Sequence, residues 1–585
     1  MTLSIFLDKK PQTNFHIKAL IIITVIVLAL NNQVRSLHSM NPTYAEIITA
    51  YSELDKNSEY ARLFEGGKCD NGKPLHVFVI DKSKHFSPVK AREQKNLVLL
   101  INNGIHAGEP DGVNASLQFA RELLSGKAAD IPDSIIICII PIHNVEGSMQ
   151  RGCCSRVNQN GPDEYGFRAN GQYLDLNRDF IKSDALNTDS WKNFFHYWNP
   201  DVLLDTHVSN GADYQYTMTL VSTQHNKLYP ILGDYLHDHL SPRLFKHMKE
   251  KGQEMMHYVN TKRWNLPPDS GLIAFLETPR YSSGYAALFS TIGFIAETHM
   301  LKPYDQRLAA TLDLIKSLVK ICSEEKSMIT ALRKTAIEKN KNSKHFPVNW
   351  KLDENKFEEI LFKGFEYKIV KSSITGLNRQ LYDRNSPYEK KIKFYPYYKA
   401  SDTITAPRFY LVPQAWKKII PIMRSAGITV GEIKSDSMVV AEISYIEDYN
   451  TVSTPYEGRY LHSNTKISRK TEKVKIEAGD FIIPVNQDGI RYIIETLEPI
   501  SVDSYFNWGF FDAILQQKEW FSDYVFEDLA AELLEADETL KNKFEEFRDS
   551  NPTVRENAFE QLYFIYKNSE YFEKGFRRYP VLRLL

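Results

Sequence analysis

The chain is poor in cysteine, in net charge and in long apolar runs, and each shortage removes a class of protein. Five Cys in 585 residues (69, 138, 153, 154 and 322) are odd in number and lack zinc-type spacing, so no cysteine metal site or disulfide framework can be read. Cys138 lies in an apolar stretch and is expected to be a buried hydrophobe. The adjacent Cys153 and Cys154 are expected to be hard to bridge to each other. Lys and Arg total 72 against 73 Asp and Glu, a formal net charge of −1, so no basic field argues for nucleic acid. No repeats or low-complexity tracts occur. The apolar run at 19–30, broken only by Thr24, is shorter than the ~20 residues that comfortably span a bilayer.

That run is still informative. Lys9, Lys10, His16 and Lys18 precede it, and a basic flank before a short apolar core reads as an export signal. No clean small-x-small cleavage site stands near Leu30, which leaves an uncleaved anchor open, and no Cys follows the core, which argues against a bacterial lipoprotein. Residues 1–36 are therefore expected to be a signal peptide or N-terminal anchor. The mature domain is expected to start near residue 37 and to be exported, periplasmic or extracellular, touching a membrane only through this segment.

What remains is ordinary globular composition, 43% hydrophobic and 25% charged, long enough for two or three domains. Helical spacing marks 41–62, 111–125, 228–249 and 305–338, and apolar runs mark strands at 75–80, 97–101, 135–140, 201–205 and 294–296. Strands alternating with helices predict an α/β domain over 37–338, with a mixed, mostly parallel sheet flanked by helices. The polar stretch 339–349 is expected to be a linker. Beyond it lies an accessory region, 350–585, β-rich over 350–500 and helical over 501–585.

The chemistry gathers where predicted strands end, the place open α/β sheets put their ligands. His106-Ala107-Gly108-Glu109 follows strand 97–101, His207 follows 201–205, and Glu297 follows 294–296. With 16 His in the chain, about one His-x-x-Glu arises by chance, so the spacing alone decides nothing. Together, two His and one Glu form a three-ligand catalytic zinc set with a position left for water, and Glu297 is the spare carboxylate that can serve as base. One Zn2+ per chain is the expected cofactor. Asp205 either supports His207 or caps a turn. His143, His225 and His299 read as structural.

Over residues ~41 to ~330 these pieces resemble, in order, the zinc carboxypeptidases of the carboxypeptidase A type. Gly67-Lys68-Cys69-Asp70-Asn71-Gly72-Lys73-Pro74-Leu75 is similar to the family's lead-in turn, and Asn144-Val145-Glu146-Gly147 stands where the family has Asn-Pro-Asp-Gly. Asp175-Leu176-Asn177-Arg178-Asp179-Phe180 is similar to its most specific string, Asp-Leu-Asn-Arg-Asn-Phe. The resemblance implies that Asn177 and Arg178 hold a substrate's C-terminal carboxylate and that Asp175 orients His106 from behind. It implies that Arg168, with Arg151 as competitor, polarises the scissile carbonyl. Its mobile tyrosine falls on Tyr281 or Tyr285, with Tyr281 preferred. The implied substrate is a peptide or protein with a free C-terminus. A related deacylase or cell-wall peptide endopeptidase would use the same metal ligands, and a catalytically inactive binding protein on this fold would be expected to lack one of them or Glu297.

Overall fold

The computed structural model describes residues 41–263 and 266–585. The expected export segment, 1–36, lies outside them. Among the described residues no helix is long and apolar enough to cross a membrane. Contacts divide the chain into one unit through Asn340 together with Lys351–Lys399, and a second of Lys341–Trp350 together with Ala400–Leu585.

The first unit is built on an eight-stranded mixed sheet. Its strands are β1 (Ala61–Lys68), β2 (Pro74–Ile80), β3 (Leu97–Asn102), β4 (Ile135–Ile140), β5 (Val202–Ser209), β6 (Met218–Ser222) and β7 (Met255–His257). After the short β8 (Leu272–Ile273), which lies outside this sheet, comes β9 (Ile292–His299). The order is β1-β2-β4-β3-β5-β9-β6-β7. β4, β3, β5 and β9 run parallel at the centre, while β1, β2 and β6 pair antiparallel with their inner neighbours. β3 and β4 are buried at every residue, as expected for strands covered on both faces.

Helices α1 (Tyr44–Asn57), α2 (Asp111–Ser125), α3 (Leu186–Trp198), α4 (Tyr304–Glu324) and α5 (Lys326–Lys341) belong to this unit. α1 starts at a capping box in which Thr43 and Glu46 satisfy each other's backbone N–H groups. α2 starts at the predicted residue because Asp111 is fixed there: its carboxylate accepts from Thr298 Oγ1 at 2.6 Å and pairs with the buried Arg307 at 2.9 Å. The single helix expected over 305–338 breaks at Glu325, whose carboxylate is held by Tyr235, His239 and Arg243.

Two boundary expectations are corrected. Residues 339–349 are not a loose linker: α5 runs through Lys341, and strand β10 (His345–Leu352) begins three residues after Asn342. The first unit also does not end near 338. A long hairpin, β11 (Glu358–Lys371) and β12 (Asn378–Tyr395), returns to it. β12 pairs with β8, and Phe362, Ile392 and Phe394 bury against Tyr214, Tyr216 and Leu272.

In the second unit, β13 (Tyr398–Thr405) leads into β14 (Phe409–Val412), β15 (Gly431–Glu432), β16 (Ser437–Thr451), β17 (His462–Ile476) and β18 (Phe481–Pro484). The last strand, β19 (Leu582–Leu584), falls in the region expected to be helical and enters the sheet between β14 and β16. A separate apolar cluster is built from helical residues such as Phe526, Ala530, Phe544 and Ile565.

Candidate metal centre and active-site cavity

A cavity of about 460 Å³ opens where β3, β5 and β9 end, and all of its lining residues belong to the first unit. His106 and Glu109 lie in the turn between β3 and α2, and His207 is the sixth residue of β5. These three buried residues are the one such His, Cys, Asp and Glu group among the described residues whose ligand atoms converge, all within 4.8 Å of one another. His106 Nδ1 and His207 Nδ1 face each other at 3.2 Å. Glu109 presents Oε1 to His106 Nδ1 at 3.1 Å and Oε2 to His207 Nδ1 at 3.0 Å.

Each imidazole is held from behind by a carboxylate. His106 Nε2 lies 3.0 Å from Asp175 Oδ1. His207 Nε2 lies 3.1 Å from Asp205 Oδ2, so Asp205 supports His207 rather than capping a turn. Asp205 is itself fixed by Asn102 Nδ2 at 2.9 Å and by the Ser282 hydroxyl. Such outer partners set the tautomer of a metal-ligating histidine.

Burial opposes charge on His207, but Asp205 and Glu109 outweigh it and raise its pKa well above the usual value. Burial likewise opposes charge on Asp175, yet His106 and Arg168 hold its carboxyl well below the usual range. The inward donor set is N, O, N. That is a fit for a divalent cation such as zinc, with His106, Glu109 and His207 as the residues that would hold it.

Glu297 stands in register with His207 on the adjacent parallel strand, so both side chains share one face of the sheet. Burial pushes its carboxyl up to about 7. Arg168 lines the cavity and grips Asp175 Oδ2 through Nε at 3.0 Å and Nη2 at 2.8 Å, and its Nη1 lies 3.4 Å from His106 Nδ1. Its backbone is held by Asn144, whose Nδ2 donates to the Arg168 carbonyl at 2.9 Å. Arg151 is bound instead to the carbonyls of Asn41 and Pro42 and does not line the cavity.

Asn177, Arg178 and Tyr281 complete one wall. The Arg178 guanidinium lies over the Tyr281 ring at 4.3 Å, and the Asn177 side chain accepts from the Ser282 N–H at 3.0 Å. Tyr285 is buried and bonded to His196 Nε2 at 2.7 Å, and of the two candidates Tyr281 is the one that lines the cavity, together with Tyr258. His299 bonds the Ala212 carbonyl and stacks on Tyr214, in keeping with a structural role.

Two features were absent from the sequence reading. Arg156, from the long loop 148–172, lines the cavity and bonds Glu109. The same loop joins Cys153 to Cys154 by a disulfide, contrary to expectation. Cys154 has a φ of +81°, and the turn it makes brings the two neighbouring sulfurs together.

Residues 48–227 match the family model described as zinc carboxypeptidase, peptidase M14, and both histidines, Glu109 and the Asn177-Arg178 pair fall inside the match. This segment is similar to the zinc carboxypeptidase family. Glu297 and Tyr281 lie beyond the matched residues. The chain is also similar to carboxypeptidase 2 of Trichophyton equinum, 20% identical over 475 residues that cover 76% of this chain and 79% of that protein. Carboxypeptidase 2 of Trichophyton rubrum is 19% identical over 80% of this chain and 84% of its own. Among solved structures, carboxypeptidase A from Helicoverpa armigera aligns with 49% of this chain and 75% of its own, at 16% identity and a TM-score of 0.36.

Proposed function

We propose that the protein is an exported zinc metallocarboxypeptidase that hydrolyses the last peptide bond of a peptide with a free C-terminus. The observation that carries this reading is the presence of Asn177 and Arg178 on the same cavity wall system as the His106, Glu109 and His207 cluster.

Zinc held by those three residues would supply Lewis acidity toward the scissile carbonyl and toward water. Glu297 takes the proton of the attacking water and returns it to the departing amine, a role suited to a buried carboxyl whose affinity for protons is raised toward neutrality. Arg168 directs a guanidinium at the carbonyl oxygen as charge develops there. Asp175 keeps both Arg168 and His106 oriented. Asn177 and Arg178 bind the terminal carboxylate, and a guanidinium fork suits that planar anion. Tyr281 limits where the Arg178 guanidinium can swing.

The test compares peptides ending in a free acid with the same peptides amidated. The wild type should cut the acids and leave the amides nearly untouched. Arg178→Ala should raise KM for the acids, and should lower kcat as well if the contact aligns the scissile bond. Equal rates on acids and amides, indifferent to Arg178→Ala, would leave a zinc deacylase or endopeptidase in place of the carboxypeptidase. Export rests on the basic flank and apolar core at 9–30. Cell fractionation should find the protein outside the cytoplasm, and a soluble cytoplasmic full-length product would defeat that part.

A further inference from the structure

Each of the three guanidinium nitrogens of Arg156 makes a hydrogen bond next to the metal centre. Nη1 donates to Glu109 Oε1 at 2.8 Å, Nη2 to the Val208 carbonyl at 2.8 Å, and Nε to Gln159 Oε1 at 2.6 Å. Gln159 in turn donates to the Gly108 carbonyl at 3.1 Å. The other oxygen of Glu109 accepts from the Val208 N–H at 2.9 Å. A closed ring results: Glu109 Oε1, Arg156, the Val208 peptide and Glu109 Oε2. Each carboxylate oxygen has one fixed donor behind it and one histidine Nδ1 in front. The ring also joins the two stretches of chain that carry the ligands, because Gly108 neighbours Glu109 and Val208 neighbours His207.

The surroundings are built to admit this side chain. A Cβ on Gly108 would come within 2.8 Å of Arg156 Cδ and 3.0 Å of the Gly166 carbonyl, so the third residue of His-Ala-Gly-Glu has no side chain where Arg156 passes. The backbone N–H groups of Cys154 and Arg156 both donate to the Tyr165 hydroxyl, at 2.9 and 3.1 Å, which fixes the loop at the root of the arginine. The Arg156 side chain is only 13% exposed, against 44% for Arg168. Arg168 faces the cavity as a group that can meet substrate. Arg156 also lines the cavity but donates to the protein from each of its three nitrogens.

We propose that Arg156 is a positioning residue for the metal centre, holding the Glu109 carboxylate in the plane that faces both histidines and locking the two ligand-bearing segments to each other. This inference rests on the metal-centre reading above. Its consequence lies in the affinity for metal rather than in a step of hydrolysis.

The experiment measures zinc affinity of the full chain by competition with a chromogenic chelator, alongside the thermal midpoint of the metal-free protein. Loss of an outer partner of a metal ligand typically weakens binding about 10–100-fold, and Arg156→Ala should fall in that range. Arg156→Lys should lie between Arg156→Ala and the wild type, because an ammonium keeps the charge without the fork. The metal-free midpoint of Arg156→Lys should stay at the wild-type value. Zinc affinity equal to wild type in both variants would overturn the proposal. So would tighter zinc binding in Arg156→Ala, which would make the guanidinium a competing cation, and so would a drop confined to the metal-free midpoint. A wild type that binds no zinc would instead remove the metal-centre reading itself.

Discussion

Asp175 and Asp205 support two imidazoles from opposite sides of one centre, but only one of them could be assigned beforehand. Asp175 was legible because it sits in the Asp-Leu-Asn-Arg string. Asp205 was not, because a carboxylate two residues before a strand-end histidine looks the same whether it caps a turn or holds a ring. His106, Glu109, His207 and Glu297 could be read as candidates because each is a polar residue at or a few positions past the end of an apolar run. Arg156 could not be read. Its loop has no periodicity, and nothing in a sequence says that a residue 47 positions after Glu109 returns to touch it. Glu297 gives the sharpest prediction at this scale. Among the described residues its carboxyl makes no hydrogen bond to His106, Glu109 or His207, so Glu297→Gln should keep zinc while peptide hydrolysis falls on the order of a thousandfold. Zinc analysis beside steady-state kinetics checks it, and loss of the metal would make Glu297 a ligand.

The elements that carry these side chains are held by close approaches. Gly112, in the first turn of α2, packs against the end of β5: an added Cβ would lie 1.9 Å from Thr206 Oγ1 and 2.4 Å from its Cβ. Thr206 cannot yield easily, since its hydroxyl is bonded to the Asn102 carbonyl and to Asn103 Oδ1 and it neighbours His207. Gly112→Ala should therefore destabilise the protein by about 1–3 kcal/mol, as overpacked cores do, although alanine favours helices. A denaturant midpoint equal to wild type would show that α2 can slide off β5. The bounds of α2, β3 and β4 were legible because cap, charge and apolar run coincide there. The break at Glu325 was not, because the apolar stripe of α4 and α5 continues across it and the cause is a carboxylate held by distant side chains.

At the scale of the molecule, burial or partial burial disfavours charge on five histidines among the described residues. Burial lowers His143, His225, His257 and His299 to about 4 and His196 to about 3, from an ordinary 6.5. The unfolded chain takes up protons at these positions below about pH 6.5, whereas the folded chain resists until about pH 4. Their contribution to stability is thus complete above about pH 6.5 and is lost as the pH falls toward 4. A denaturation midpoint that stays flat across that window would contradict the burial of these rings. The fold class was legible over the first unit, but its boundary was not. The hairpin β11–β12 has the alternating pattern of any exposed arm, and its membership is set by Phe362, Ile392 and Phe394 meeting Tyr214, Tyr216 and Leu272 far earlier in the chain. The strand β19 has a different consequence, one of timing during synthesis. It lies between β14 and β16, so a ribosome making this chain must release residues 582–584 before the second sheet can be continuous. Until then its two halves emerge as separate pieces with open edges, and chaperones that recognise unpaired strands would meet them in that state.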